Sequence, residues 1–272
     1  MDNRPIGLFD SGVGGLSAVR VLRTAAPGES FCYFGDTARV PYGDREPEDI
    51  RTLSLQDARF LRAQGVKALV IACNTITANA LTELTSQNSD IPVIGVIEPA
   101  AKEAAGISPS GRIGLIATNA TVKSAVYDKT IRALRPEAAV TAVGCPKLVP
   151  LIDTGHTAPT DKDLMPILAE YLAPLQQAEV DTVILGCTHY PLIADAVRTI
   201  MGGDIKLVDS GAACIGAVME ALREKDGLAD GTAPKKEAFF CSARQEDFTA
   251  VAETFLGADI RPLTMQIHIE EY

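Results

Sequence analysis

The chain alternates short apolar runs with stretches of helical periodicity, and that alternation predicts most of its elements. Runs of four to six apolar, largely β-branched residues that end in small polar residues read as buried strands of a parallel sheet. They fall at residues 4–9, 30–35, 69–73, 91–97, 111–117, 139–144, 183–187, 206–211 and 237–242. Between them, apolar residues recur with the spacing of one helix face. Leu16, Val19 and Leu22 form one such face, and Ile50, Leu53, Phe60 and Leu61 another. Helices are also expected over 78–84, from Glu98, over 122–134, 164–175 and 245–256, and up to Arg223. Strand and helix therefore alternate along nearly the whole chain, which is the pattern of an α/β fold.

Two of the runs share a further property. Leu69–Thr75 and Val183–His189 each stop at a cysteine, Cys73 and Cys187, followed by small polar residues. Both thiols would then lie just past the carboxyl end of a strand, where open α/β sheets place their ligands. Asp10 precedes Cys73, and Thr118 precedes Cys187, by nearly equal intervals. This predicts two similar lobes, each a mostly parallel sheet flanked by helices, facing each other across a cleft that holds the site. The first lobe is read as 1–97 plus 208–272, hence discontinuous, and the second as 98–207.

Composition narrows the chemistry. The 272 residues carry a net charge of −10 with no basic stripe, which argues against nucleic acid as a partner. No apolar run approaches the ~18 residues of a membrane span, and the first residues lack a secretory pattern, so a cytoplasmic protein is expected. Six cysteines without C-x-x-C spacing favour free thiols. Cys32, Cys145, Cys214 and Cys241 lie in apolar or small-residue runs and read as small buried hydrophobes. Cys73 and Cys187 each open a helix instead, where the helix N-terminus should draw a thiol from a pKa of ~8.5 toward neutrality.

Near these thiols stand several groups with more than one reading. Asp10 closes the first strand beside Ser11 and glycines 12, 14 and 15. It is an N-cap, or a carboxylate able to accept a proton or hold an ammonium. The glycines satisfy a turn with positive φ, or let backbone approach a ligand at a helix start that favours a negative group. Residues 36–46, with Pro41, Tyr42 and Gly43, form a long loop at the same edge. Asn74, Thr75, Thr118, Thr121 and Thr188 cap helices or donate hydrogen bonds to carboxylates. His189 caps a helix or relays a proton for Cys187, whereas His156 and His268 read as surface residues. Cys187 and His189 offer a metal two ligands and no third, no Walker-type Gly-Lys-Ser/Thr is present, and no lysine suits pyridoxal phosphate.

Taken together, the segments Phe9–Leu16, Tyr33–Gly43, Ala72–Thr75, Ile94–Pro99, Gly186–Leu192 and Val208–Gly211 resemble one family over most of the chain. It is the cofactor-independent glutamate racemases of the aspartate/glutamate racemase superfamily. The resemblance implies interconversion of L- and D-glutamate without cofactor or metal, D-glutamate for peptidoglycan, and a homodimer. It assigns proton transfer to Cys73 and Cys187, with Asp10 assisting the first and His189 and an acid near residue 153 assisting the second. Ser11, Pro41, Tyr42, Gly43, Asn74, Thr75, Thr118, Thr121, Thr188 and His189, with Asp10, are implied to line the substrate pocket. Where the family usually has glutamate, this chain has Asp153. The shorter side chain is expected to fall short of Cys187 and His189 unless a water or a backbone shift fills the gap. The competing readings are a racemase for aspartate or a related acid, a thiol hydrolase using Cys187 alone, which would tolerate loss of Cys73, and a two-lobed amino-acid-binding protein, which would not exchange the Cα hydrogen.

Overall fold

The computed structural model describes residues 1–272 and contains two parallel sheets. The first is built from β1 (Ile6–Asp10), β2 (Phe31–Gly35), β3 (Ala68–Ile71) and β4 (Val93–Gly95), with α1 (Leu16–Ala25), α2 (Pro47–Ala63) and α3 (Asn74–Gln87) as crossovers. The helix α4 (Ile97–Ile107) leads to the second sheet, whose strands are β5 (Arg112–Ala117), β6 (Ala139–Gly144), β7 (Thr182–Gly186) and β8 (Lys206–Asp209). Its connections carry α5 (Asn119–Ser124), α6 (Val126–Leu134), α7 (Leu148–Asp153), α8 (Leu164–Gln177) and α9 (Ala194–Met201). The chain returns along α10 (Ser210–Glu224) to β9 (Glu237–Cys241), α11 (Gln245–Leu256) and β10 (Thr264–Gln266).

Strand order is β10-β9-β2-β1-β3-β4 in one sheet and β6-β5-β7-β8 in the other. Removing the two late strands leaves β2-β1-β3-β4, the same order as the second sheet. Register matches too. Phe9 pairs with Ile71 and Ile116 with Leu185, and each cysteine follows its strand partner by two positions. Cys73 and Cys187 therefore end equivalent strands. The pairing of β8 runs to Asp209, past the 207/208 boundary read from the sequence.

Alternate side chains of both sheets meet in one apolar core. Ile6, Leu8 and Val70 from the first sheet join Leu115, Ile184 and Val208 from the second, together with residues of α1, α4 and α10. Separate cores lie on the far faces, under α2 and α3 on one side and under α8 and α9 on the other. No helix is long and apolar enough to cross a membrane.

Three local expectations change. The strand expected over 91–97 shortens to Val93–Gly95, because Ile97 already starts α4. The helix expected from residue 78 starts at Asn74, directly after Cys73, whose carbonyl accepts the N–H of Thr77 at 3.0 Å. The helix expected over 122–134 is two helices, parted at Ala125, which adopts the left-handed conformation with φ of 54°. A non-glycine residue there carries a steric cost, and Ala125 is exposed. We expect Ala125→Gly to raise the free energy of unfolding by about 1 kcal/mol and Ala125→Val to lower it, as read from urea denaturation.

Candidate active site

The carboxyl ends of both sheets open onto one cavity of about 650 Å³, within the ~300–1,000 Å³ of small-molecule sites. Cys73 and Cys187 both line it. So do Ser11, Pro41, Tyr42, Gly43, Asn74, Thr75, Thr118, Asp153, Thr188 and His189. No lysine or arginine does, so an anionic ligand here meets N–H and O–H donors and a single histidine.

On the first-sheet side, Asp10 accepts the N–H groups of Gly12 at 3.3 Å and Gly15 at 3.0 Å. The amides at the head of α1, read as a place for a ligand's negative group, already hold an internal carboxylate. Asp10 is buried at the cavity wall and is not among the lining residues, and its Oδ1 has no hydrogen-bond partner in the protein. Burial raises its carboxyl above the ordinary range, while the charge of His189, Cys73 and the two N–H groups pull it back. Neither reading of the glycine turn is complete. Gly12, Gly14 and Gly15 have no positive φ; Gly14 is needed because a Cβ there would collide with the Thr188 hydroxyl and the His189 ring. The turn thus packs directly on the second cysteine motif.

Cys73 is the N-cap of α3, with Sγ 3.7 Å from Ser11 Oγ. The expected drop toward neutrality does not occur. Burial, aided by the charge of Asp10, pushes this thiol up, and the N–H of Ile76 and contacts from Ser11 recover only part of that. Desolvation outweighs the helix terminus here.

Across the cavity, Cys187 Sγ lies 3.7 Å from His189 Nδ1, and His189 Nε2 lies 3.1 Å from Asp153 Oδ1. Asp153 therefore does reach, contrary to the expectation from its short side chain. It is the last residue of α7, a helix seated by the burial of Leu148 and Ile152, and it meets His189 directly, without a bridging water. Burial alone would lower the pKa of His189, but the Asp153 carboxylate and the Cys187 sulfur outweigh it and push it up to about 10. The ring is held as imidazolium, with Phe255 of α11 edge-on at 5.5 Å.

Several polar residues expected to touch substrate are committed elsewhere. The Asn74 amide donates to Ser210 Oγ at 3.1 Å and its Oδ1 accepts from Tyr127 at 2.7 Å. Tyr42 is buried, and its hydroxyl donates to Asp36. Burial and the flanking carboxylates push its pKa up, so it stays a donor. Arg39 bridges the same Asp36 at 2.6 Å to Asp57 of α2 at 2.8 Å. Asn74 and Tyr42 thus offer the cavity mainly backbone. Thr121 is buried off the cavity and contacts Thr118 at 3.0 Å; Thr118 in turn meets Thr75 at 2.9 Å across the two sheets.

The sequence reading missed the Asp36–Arg39–Asp57 support, although Asp36 lies inside a quoted motif. It also missed Phe248 and Val251 of α11, which wall the cavity and have no local signature. Cys145, read as a buried hydrophobe, is buried and also lines the cavity. Cys32, Cys214 and Cys241 are free and buried as expected. His268 is exposed, and His156 Nδ1 lies in hydrogen-bond contact with Asp161 Oδ2 in a loop at 2.9 Å.

With this geometry in view, known proteins give it a class. The family described as Asp/Glu/Hydantoin racemase matches residues 16–218. A glutamate racemase of Streptococcus gordonii is 43% identical over 268 residues, covering 96% of this chain and 97% of the relative. One of Geobacter metallireducens is 43% identical over 94% of each chain. Among solved structures, glutamate racemase from Francisella tularensis in complex with D-glutamate superposes with a TM-score of 0.93 at 33% identity over 100% of both chains. Glutamate racemase isoform RacE1 from Bacillus anthracis gives 0.92 at 34% identity over 98% of both. The chain belongs to the Asp/Glu/Hydantoin racemase family, and within that family to its glutamate racemases.

The raised pKa of His189 has a consequence for stability. A group whose folded pKa exceeds its unfolded value of 6.5 stabilises fully below that value and loses the contribution as pH rises through about 10. Asp153→Asn removes the principal partner. We expect the stability gap between the wild type and Asp153→Asn, measured by denaturant melts at fixed pH, to be widest below pH 6.5 and to shrink toward pH 10. A gap that widens with pH would contradict the imidazolium assignment.

Proposed function

We propose that this chain interconverts L- and D-glutamate by proton transfer between two thiols on opposite faces of Cα. The D-glutamate formed would supply peptidoglycan synthesis in the cytoplasm. One observation carries the reading: two cysteines that end equivalent strands of two sheets line a single cavity. Inversion needs a base on one face of the stereocentre and an acid on the other, and a site with matched thiols supplies both.

In the L-to-D direction, Cys187 as thiolate takes the Cα proton. The electron pair left on carbon delocalises into the α-carboxylate. Cys73 then delivers its thiol proton to the other face, ending as thiolate while Cys187 ends as thiol. The reverse direction exchanges the roles. The contrast between the two sides supports this assignment. Burial and Asp10 favour the protonated form of Cys73, and the His189 imidazolium faces Cys187 with a compensating charge. Positioned proton transfer contributes roughly 10²–10⁴-fold. The rest of the barrier falls through hydrogen bonds that strengthen as the α-carboxylate gains charge. Donors for the two carboxylates are the hydroxyls of Ser11, Thr75, Thr118 and Thr188 and the backbone N–H groups around Gly43 and Asn74.

The test follows the optical rotation of L- and of D-glutamate with purified protein and no added cofactor. Activity is expected in both directions. Cys73→Ala and Cys187→Ala should each lower both directions by at least ~10²-fold. If Cys73→Ala keeps wild-type turnover, the two-thiol reading is wrong. If Asp153→Asn leaves both directions intact, Asp153 takes no part in the proton machinery.

A further inference from the structure

One buried polar cluster links the backbone segments that carry the two cysteines. Asn74 directly follows Cys73 at the start of α3. Its amide nitrogen donates to Ser210 Oγ at 3.1 Å, and Ser210 Oγ donates to the carbonyl of Leu185 at 3.1 Å. Leu185 stands in β7, two positions before Cys187. The Tyr127 hydroxyl, from α6, donates to Asn74 Oδ1 at 2.7 Å and fixes which way the amide faces. Asn74, Ser210 and Tyr127 are each at most 2% exposed.

From this arrangement we infer that Ser210 and Tyr127 are positioning residues: through Asn74 they hold the Cys73 turn at a set distance from the strand that delivers Cys187. The inference rests on the two-thiol reading above. Its physical basis is the difference between apolar and polar contacts. The core shared by the two sheets is apolar around this cluster, and apolar contacts are non-directional. Hydrogen bonds are directional and hold both length and angle within narrow limits. Racemisation depends on such a limit more than most reactions do, because the acid and the base must both reach one carbon. Elsewhere the two motifs meet at Thr75–Thr118 and at Gly14 against Thr188 and His189. Thr75, Thr118, Thr188 and His189 all line the cavity, so a ligand can rearrange those contacts. The Ser210–Leu185 and Tyr127–Asn74 bonds lie behind the wall, since neither Ser210 nor Tyr127 lines the cavity.

A mis-set distance has a specific kinetic signature. If one thiol removes the proton but the other is too far to deliver, the carbanion is reprotonated on the face it came from. In D₂O the first thiol then has time to exchange, and deuterium enters the recovered starting enantiomer without inversion. The experiment measures this label per molecule inverted, with kcat and KM in both directions, for the wild type, Tyr127→Phe, Ser210→Ala and Ser210→Thr. Misplacement of about 1 Å can cost as much as ~10²-fold. For Tyr127→Phe and Ser210→Ala we expect kcat to fall about tenfold or more in both directions and KM to stay within about twofold. The label-to-inversion ratio should rise at least about threefold. Ser210→Thr, which keeps the hydroxyl, should recover most of the loss.

Tyr127→Phe removes one oxygen and keeps the ring, so it decides the matter if Ser210→Ala does not fold. Loss of kcat with an unchanged ratio, a rise in KM alone, or wild-type behaviour of folded Tyr127→Phe each overturns the inference. A wild type that neither inverts nor labels glutamate refutes the parent reading, and this inference falls with it.

Discussion

The apolar core shared by the inner faces of the two sheets is the constraint on which the site depends. Each sheet is parallel, so every strand ends its carboxyl terminus on the same edge. Ile6, Leu8 and Val70 of one sheet and Leu115, Ile184 and Val208 of the other join a single core through α1, α4 and α10, and those edges converge on one opening. The cysteines need no special geometry of their own to face a common space. They need only to follow the matching strand at the matching step, and the pairings of Phe9 with Ile71 and Ile116 with Leu185 provide that.

Within that frame the two cysteine environments are unlike. Cys73 lies near a buried carboxylate whose hydrogen-bond partners are backbone amides. Cys187 lies beside a histidine whose charge is sustained by Asp153. At Cys73 desolvation and the negative charge of Asp10 act in the same direction, whereas the group beside Cys187 carries the opposite sign. A helix N-terminus, the feature the two cysteines have in common in sequence, turns out to be the weaker influence at Cys73. Its amides act over the first turn, whereas burial acts on the whole thiol.

The sequence made the fold legible because parallel strands buried on both faces announce themselves as apolar runs, and because the two halves repeat in step. Boundaries were less legible where local chemistry overrode periodicity. Ala125 breaks an otherwise continuous helical pattern through backbone conformation alone, and no spacing reveals that. Site residues within a few positions of the cysteines could be named from their motifs. Whether their side chains face the cavity could not. Asn74 and Tyr42 point into buried networks whose other members, Tyr127, Ser210, Asp36 and Asp57, are distant in sequence or on other elements. The α11 wall was invisible for the same reason. Asp153 shows the converse: side-chain length suggested a gap, and the seating of a six-residue helix closed it.

The late strands carry a consequence for how the protein is made. Strand β9 pairs with β2 along its full length, and β10 pairs with β9, although both are among the last residues of the chain. The second sheet is complete once β8 has emerged, whereas the first keeps the β2 edge open until residues 237–241 arrive. Through that interval β2 presents unpaired N–H and C=O groups flanked by Phe31, Tyr33 and Phe34, the kind of edge that recruits foreign strands. Nascent chains that stall inside the 225–234 connection would therefore leave the ribosome with one finished half and one adhesive one.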